Sequence, residues 1–175
     1  MKKIITILIL SFFSWKNAYG LITVDITRGN LDPLPIAVSP LHVDSKSEKF
    51  TVFETSKLGA EISKIVEKNF KGTGLFNPLK KDSFVQKPDI AHLKPRFEDW
   101  RLIKAQALVT GKLLVKDQKL KVEFRLWDLA AAKEMTALAF TTTPSNWRRV
   151  AHIIADKIYE RLTGEEGYFD TRIIY

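Results

Sequence analysis

The run KLKVEFRLWD, Lys119 to Asp128, alternates without a break. Leu120, Val122, Phe124 and Leu126 fall on one side, with Lys119, Lys121, Glu123 and Arg125 on the other. A period of two with one apolar and one charged face specifies a strand that packs on a core and meets water behind it. Upstream, Leu108 to Val115 is a second apolar stretch, joined to the first across the polar Lys116-Asp117-Gln118, so the pair reads as a hairpin. Downstream, Glu134 to Thr142 supplies a third strand after a turn over Asp128 to Lys133, which completes a meander.

The segments around the meander have a different period. Leu58, Ile62, Ile65, Val66 and Phe70 line one face of a helix, with Glu54, Thr55 or Ser56 to cap its start and Gly72 or Gly74 its end. Pro144-Ser145 opens a second helix whose inward face is Trp147, Ala151, Ile154, Ile158 and Leu162, ended by Gly164. Between these helices, the three prolines from Asn77 to Pro95 predict an irregular connection. Phe97 to Ile103 reads as a short helix with Phe97, Trp100 and the stem of Lys104 facing inward. Nearer the start, Ile36 to Val38 is a short strand closed by Pro35 and Pro40, and His42 to Lys49 reads as loop. Leu21 to Thr27 alternates, with Ile22, Val24 and Ile26 on one side. The order predicts an α/β (α+β) fold, a two-layer sandwich of a mixed sheet with helices on one face.

The first twenty residues stand apart. Lys2 and Lys3 precede an apolar run from Ile4 to Phe13, and the small residues Ala18 and Gly20 follow, the plan of a secretory signal peptide cleaved between Gly20 and Leu21. The run is shorter than the ~20 residues a bilayer span needs, so no stable membrane insertion is expected. Of 28 Lys+Arg, three lie in that leader, leaving 25 against 20 Asp+Glu. These charges are dispersed, with no stripe for nucleic acid, and read as a solvated surface.

The chemistry-bearing residues are sparse. With no Cys, disulfides, thiolate metal sites and cysteine nucleophiles are excluded. His42, His92 and His152 are at least fifty residues apart and share no ligand spacing, so no metal is expected. No G-x-S-x-G, phosphate-binding loop or H-E-x-x-H occurs, and Trp100, Trp127 and Trp147 sit among apolar neighbours as core residues. The reading is of a non-enzyme without cofactor.

Five segments together resemble the amino-terminal domain of the TolB family of the Gram-negative Tol–Pal envelope system. They are ITVDITRGNLDPLPIAVSPL from Ile22, GLFNPL from Gly74, WRLIKAQALVTGKL from Trp100, KVEFRLWD from Lys121 and NWRRVAHIIADKIYERLTGEEGYFDTRIIY from Asn146. The resemblance implies a fold shared with anticodon-binding domains. It also implies a periplasmic scaffold coupling inner-membrane TolA to the outer-membrane lipoprotein Pal, in support of outer-membrane integrity and constriction at division. Family members continue into a six-bladed β-propeller, and here the sequence stops within what resembles its first strand. The chain therefore reads as an incomplete member, with the β-propeller absent and the Pal contact, expected mainly through that propeller, not assignable to it. The organisation follows: 1–20 signal peptide, 21–33 arm, 34–166 domain, 167–175 start of the missing propeller. In that last stretch Phe169, Ile173, Ile174 and Tyr175 are expected to be a strand without neighbours.

In the family the mature amino terminus recruits TolA, and the matching positions are Leu21, Ile22, Val24, Asp25, Ile26, Arg28 and Asp32. An alternating segment of this kind can add as a strand to a partner's sheet edge. It can equally be the first strand of the domain's own sheet, or alternate between the two, and all three readings stand at this level. The alternative function is a generic periplasmic solute- or lipid-binding protein, which a large apolar pocket would favour over a filled core.

Overall fold

The computed structural model describes residues 21–24, 32–49 and 54–171. Its strands and helices, in chain order, are β1 (Leu34–Val38), β2 (His42–Val43), α1 (Thr55–Thr73), β3 (Phe76–Pro78), α2 (Pro88–Ala91), α3 (Phe97–Leu102), β4 (Ala107–Lys116), β5 (Lys119–Asp128), β6 (Lys133–Thr142) and α4 (Trp147–Thr163). The sheet order is β3-β1-β4-β5-β6, with β2 also paired to β4. Pairings among β1, β2, β3 and β4 are parallel and those among β4, β5 and β6 antiparallel, the mixed sheet that was expected.

The meander forms where the alternation places it. Lys116 pairs with Lys119, and the two residues between them, Asp117 (φ 50) and Gln118 (φ 56), are both left-handed, as in a type I′ turn whose twist matches the strands. Leu120, Val122, Phe124 and Leu126 are all buried, joined by Ile36 and Val38 of β1 and Val109, Leu113 and Val115 of β4. Over this face lie Leu58, Ile62, Val66 and Phe70 of α1 and Val150, Ala151, Ile154, Ile158 and Leu162 of α4. Both long helices end in left-handed glycines, Gly74 (φ 71) and Gly164 (φ 80). Glu54 holds the N-cap position of α1 without a side-chain cap, while the Thr55 hydroxyl bonds Glu48 O instead, 3.0 Å away.

Several expectations are corrected. The stretch from His42 is not all loop, because β2 continues the line of β1 along β4 after a break at Pro40, which has no N–H for the ladder. The broken strand's carbonyl at Ser39 is taken by Ser63 Oγ of α1 at 2.9 Å. There α1 approaches so closely that a Cβ on Gly59 would collide with the Leu41 carbonyl oxygen. The connection from Asn77 to Pro95 is also more regular than its prolines suggest. It opens as β3, parallel to β1, and includes a 3-10 turn at Lys81–Ser83 and the helix α2.

The two long helices lie on one face as expected, and the short helices α2 and α3 add a smaller cover on the other. Ala37 and Leu108, which point away from α1 and α4, form a second cluster with Ala91, Trp100, Ala105 and Leu129. The amide of Gln86 ties this cover together: its Oε1 accepts from Arg96 N (2.9 Å) and Trp100 Nε1 (3.0 Å), and its Nε2 donates to Lys94 O (3.3 Å). Lys104 does not face inward; it is exposed, with φ 62 in the turn after α3. Phe169 is not bare. It packs half-buried against Tyr159, and the N–H groups of Phe169 and Asp170 donate to Asp156 at 2.7 and 3.0 Å, so the segment from Gly167 folds onto α4. Ile173, Ile174 and Tyr175 lie outside the described residues.

Phe124 is 1% exposed and stacks on Phe140. Phe124→Ala should cost about 3–5 kcal/mol, seen as a lower denaturation midpoint with unchanged slope. Glu67 of α1 should show a pH effect. Burial pushes its carboxyl above the ordinary value, against the opposing pull of Lys81, whose Nζ lies 3.1 Å from Oε1 in poor hydrogen-bond geometry. A raised folded-state value means that the folded protein holds this proton more tightly than the unfolded chain. The contribution to stability is therefore fully present below the unfolded value and lost as pH rises through the folded one. Glu67→Gln should raise the thermal midpoint near neutrality relative to wild type, with the difference closing as pH falls below 4.5.

Candidate interaction site

The arm residues that the structure describes, Leu21 to Val24, run extended along the rim of the sandwich without joining its sheet. This corrects the reading of the arm, in these four residues, as the sheet's first strand. The alternation holds: Ile22 and Val24 are half-buried against the main core, while Leu21 and Thr23 are exposed. Two backbone contacts hold the segment, and they go to different elements. Ile22 N donates to Asp128 Oδ2 at the end of β5 (2.9 Å), and Val24 N donates to Leu162 O near the end of α4 (2.7 Å).

Local sequence builds the receiving rim. Asp128 closes β5, where its other oxygen accepts the N–H of Ala131 at 2.8 Å and shapes the turn into β6. The β5–β6 register then shifts: Leu126 pairs with Thr136 but Trp127 with Glu134, so Met135 is an extra residue, a bulge. Its carbonyl accepts from Arg161 Nε of α4 at 3.3 Å. Beside the arm a shallow groove of about 570 Å³ is lined by Thr23, Thr136, Leu138, Glu160, Arg161 and Leu162, among others.

The balance of terms explains a segment that is docked but peripheral. Two hydrogen bonds contribute about 1 kcal/mol each. Half-burying Ile22 and Val24 adds roughly 1 kcal/mol apiece. Ordering four backbone residues costs about 4–8 kcal/mol. Gain and cost cancel at the lower end of that range, so the arm can be held or released by a small change.

Of the other residues singled out in the sequence, Asp32 is exposed just ahead of β1, and Gly20, Asp25, Ile26 and Arg28 lie outside the described residues. Asp128 and the Leu162 carbonyl, which receive the arm, carry no sequence signal. Neither does the pairing of His42 with His92, whose rings stack at 4.5 Å although fifty residues separate them. His92 Nδ1 lies 3.0 Å from Pro88 O, and His152 Nδ1 lies 2.9 Å from Asn69 Nδ2. Among the described residues no group of three or more His, Asp or Glu side chains is placed to hold a metal.

Fold and rim together define a class: a small α+β sandwich domain with an extended amino-terminal arm clasped to its edge. The chain belongs to the TolB amino-terminal domain family, whose pattern matches residues 22–135. It is 69% identical over 160 residues to the Tol-Pal system protein TolB of Pelagibacter ubique, an alignment that takes in 90% of this chain. The chain spans 36% of that relative's length. The crystal structure of TolB from Acinetobacter baumannii superposes with a TM-score of 0.63 at 20% identity, over 79% of this chain and 30% of that one, which establishes the fold. TolB is a non-enzymatic, periplasmic Tol–Pal component. Among the described residues, no helix is long and apolar enough to cross a membrane.

Proposed function

We propose that this chain is an exported, periplasmic interaction domain of the Tol–Pal system whose amino-terminal arm recruits TolA. The observation that carries the reading is the described stretch of the arm, residues 21–24, an alternating segment held at the rim by two hydrogen bonds rather than by a ladder. Once it lifts away, its N–H and C=O groups can pair with a partner's sheet edge. Leu21, Ile22, Val24, Asp25, Ile26, Arg28 and Asp32 form the contact, with Ile22, Val24 and Ile26 filling pockets on the partner. Residues 1–20 act as the signal peptide, 21–33 as the arm and 34–166 as the domain that carries it, and 167–175 lead into the part of the family protein that this chain does not span. Coupling of TolA to Pal, and with it support of envelope integrity and division, belongs to the whole protein, with Pal engaged through the propeller. The filled core supports this reading over a solute- or lipid-binding protein: Leu58, Ile62, Phe70, Phe124 and Ile154 are at most 1% exposed.

Deleting residues 21–32 should abolish TolA binding in a titration of the purified proteins while moving the thermal midpoint by no more than a few degrees. Undiminished binding would place the TolA contact elsewhere, and global unfolding would make the arm structural.

A further inference from the structure

Asp128 is a carboxylate with 0% exposure, and its partners are two neutral backbone donors, Ile22 N–H and Ala131 N–H. Buried charges are ordinarily paired with an opposite charge, and one left unpaired is costly. The cations near it are engaged elsewhere or turned outward. Arg101 of α3 donates to the carbonyls of Leu129 and Ala130 and pairs with Glu98. Arg161 of α4 reaches Met135 O, and the neighbouring Glu160 pairs with Lys157. Lys133, opposite Asp128 in the β5–β6 register, is exposed, as is Glu134 beside it, which pairs with Arg125. Among the described residues none of these cations forms an ion pair with Asp128.

The missing counter-charge lies one residue from the existing contact. Ile22 N is 2.9 Å from Asp128 Oδ2, and Leu21 precedes it directly. Covalent geometry alone puts the Leu21 nitrogen within about 6–7 Å of that oxygen, and rotation within the residue brings it nearer. Leu21 as a residue is 44% exposed. We propose that Asp128 is the receptor for the processed amino terminus, the α-ammonium of Leu21 supplying the charge that the buried carboxylate lacks. The proposal rests on cleavage between Gly20 and Leu21. In that hydrolysis water splits the amide, its oxygen remaining with Gly20 as a carboxylate, while the Leu21 nitrogen leaves as an ammonium. Before cleavage the same nitrogen is a neutral amide. Removal of the leader thus changes how firmly the arm is held, and the exported chain clasps its arm more tightly than the precursor does.

An ammonium stabilised by a nearby carboxylate holds its proton more tightly in the folded state. The clasp is fully present below the unfolded amine's range, near pH ~8, and is lost as pH rises through the folded value. The test follows the acylation rate of the Leu21 amine against pH, read by mass spectrometry of the amino-terminal peptide. It compares the exported chain, its Asp128→Asn variant and a synthetic peptide of the arm. In the exported chain the reactive fraction at pH ~7.5 should be about tenfold lower than in the peptide. Asp128→Asn should restore the peptide's behaviour. Because that substitution can also disturb the turn, a second variant carries Gly-Ser ahead of Leu21 and keeps Asp128 intact. Its displaced amine should titrate as in the peptide, and the Val24 amide should exchange faster than in the exported chain. Equal acylation profiles for the exported chain and the peptide would overturn the assignment to Asp128. A first residue other than Leu21 in the exported chain would overturn the cleavage on which it rests, and the same mass spectrum reports it separately.

Discussion

Burial of Leu120, Val122, Phe124 and Leu126 beneath α1 and α4 is the constraint on which the other elements depend. β5 is antiparallel to both β4 and β6, and its four apolar side chains are at most 1% exposed. A slip of one residue would turn all four to solvent and bring Lys121, Glu123 and Arg125 into the core, so the pattern itself sets the register. Once β4 and β5 are fixed, the parallel strands β1 and β2 have one template along β4, and β3 then pairs with β1. The two helices then have one apolar surface to cover.

This explains which parts of the fold can be read from the chain. The meander, both long helices and the inward faces of each are legible because period two and period 3.6 run for eight residues or more in them. β2 and β3 are not legible, because strands of two and three residues are too short for any period. They exist because β4 and β1 present unpaired edges to them. The cover over the second face, from Leu79 to Ala105, is held by one buried glutamine and one tryptophan, whose distant partners leave no local pattern. Phe169 reads as bare because its partners, Tyr159 and Asp156, are contributed by the preceding helix across a turn.

The arm shows the same division. Its alternation is legible in Ile22 and Val24, and so is the family to which it belongs. Where it rests is not legible, because Asp128 and the Leu162 carbonyl lie 106 and 138 positions away along the chain. Docking at a strand end and a helix end, rather than in the ladder, separates the arm energetically from the core. The domain gives up little when the arm leaves, which suits a segment whose partner lies outside the molecule.

That separation is the central claim, and native-state amide exchange tests it most directly. The Val122 and Phe124 amides should exchange only through global unfolding. The Val24 amide should exchange through a local opening that is cheaper by several kcal/mol and insensitive to low denaturant. A Val24 amide as protected as those of β5, with the same denaturant dependence, would show that arm and core open as one unit and would contradict the account.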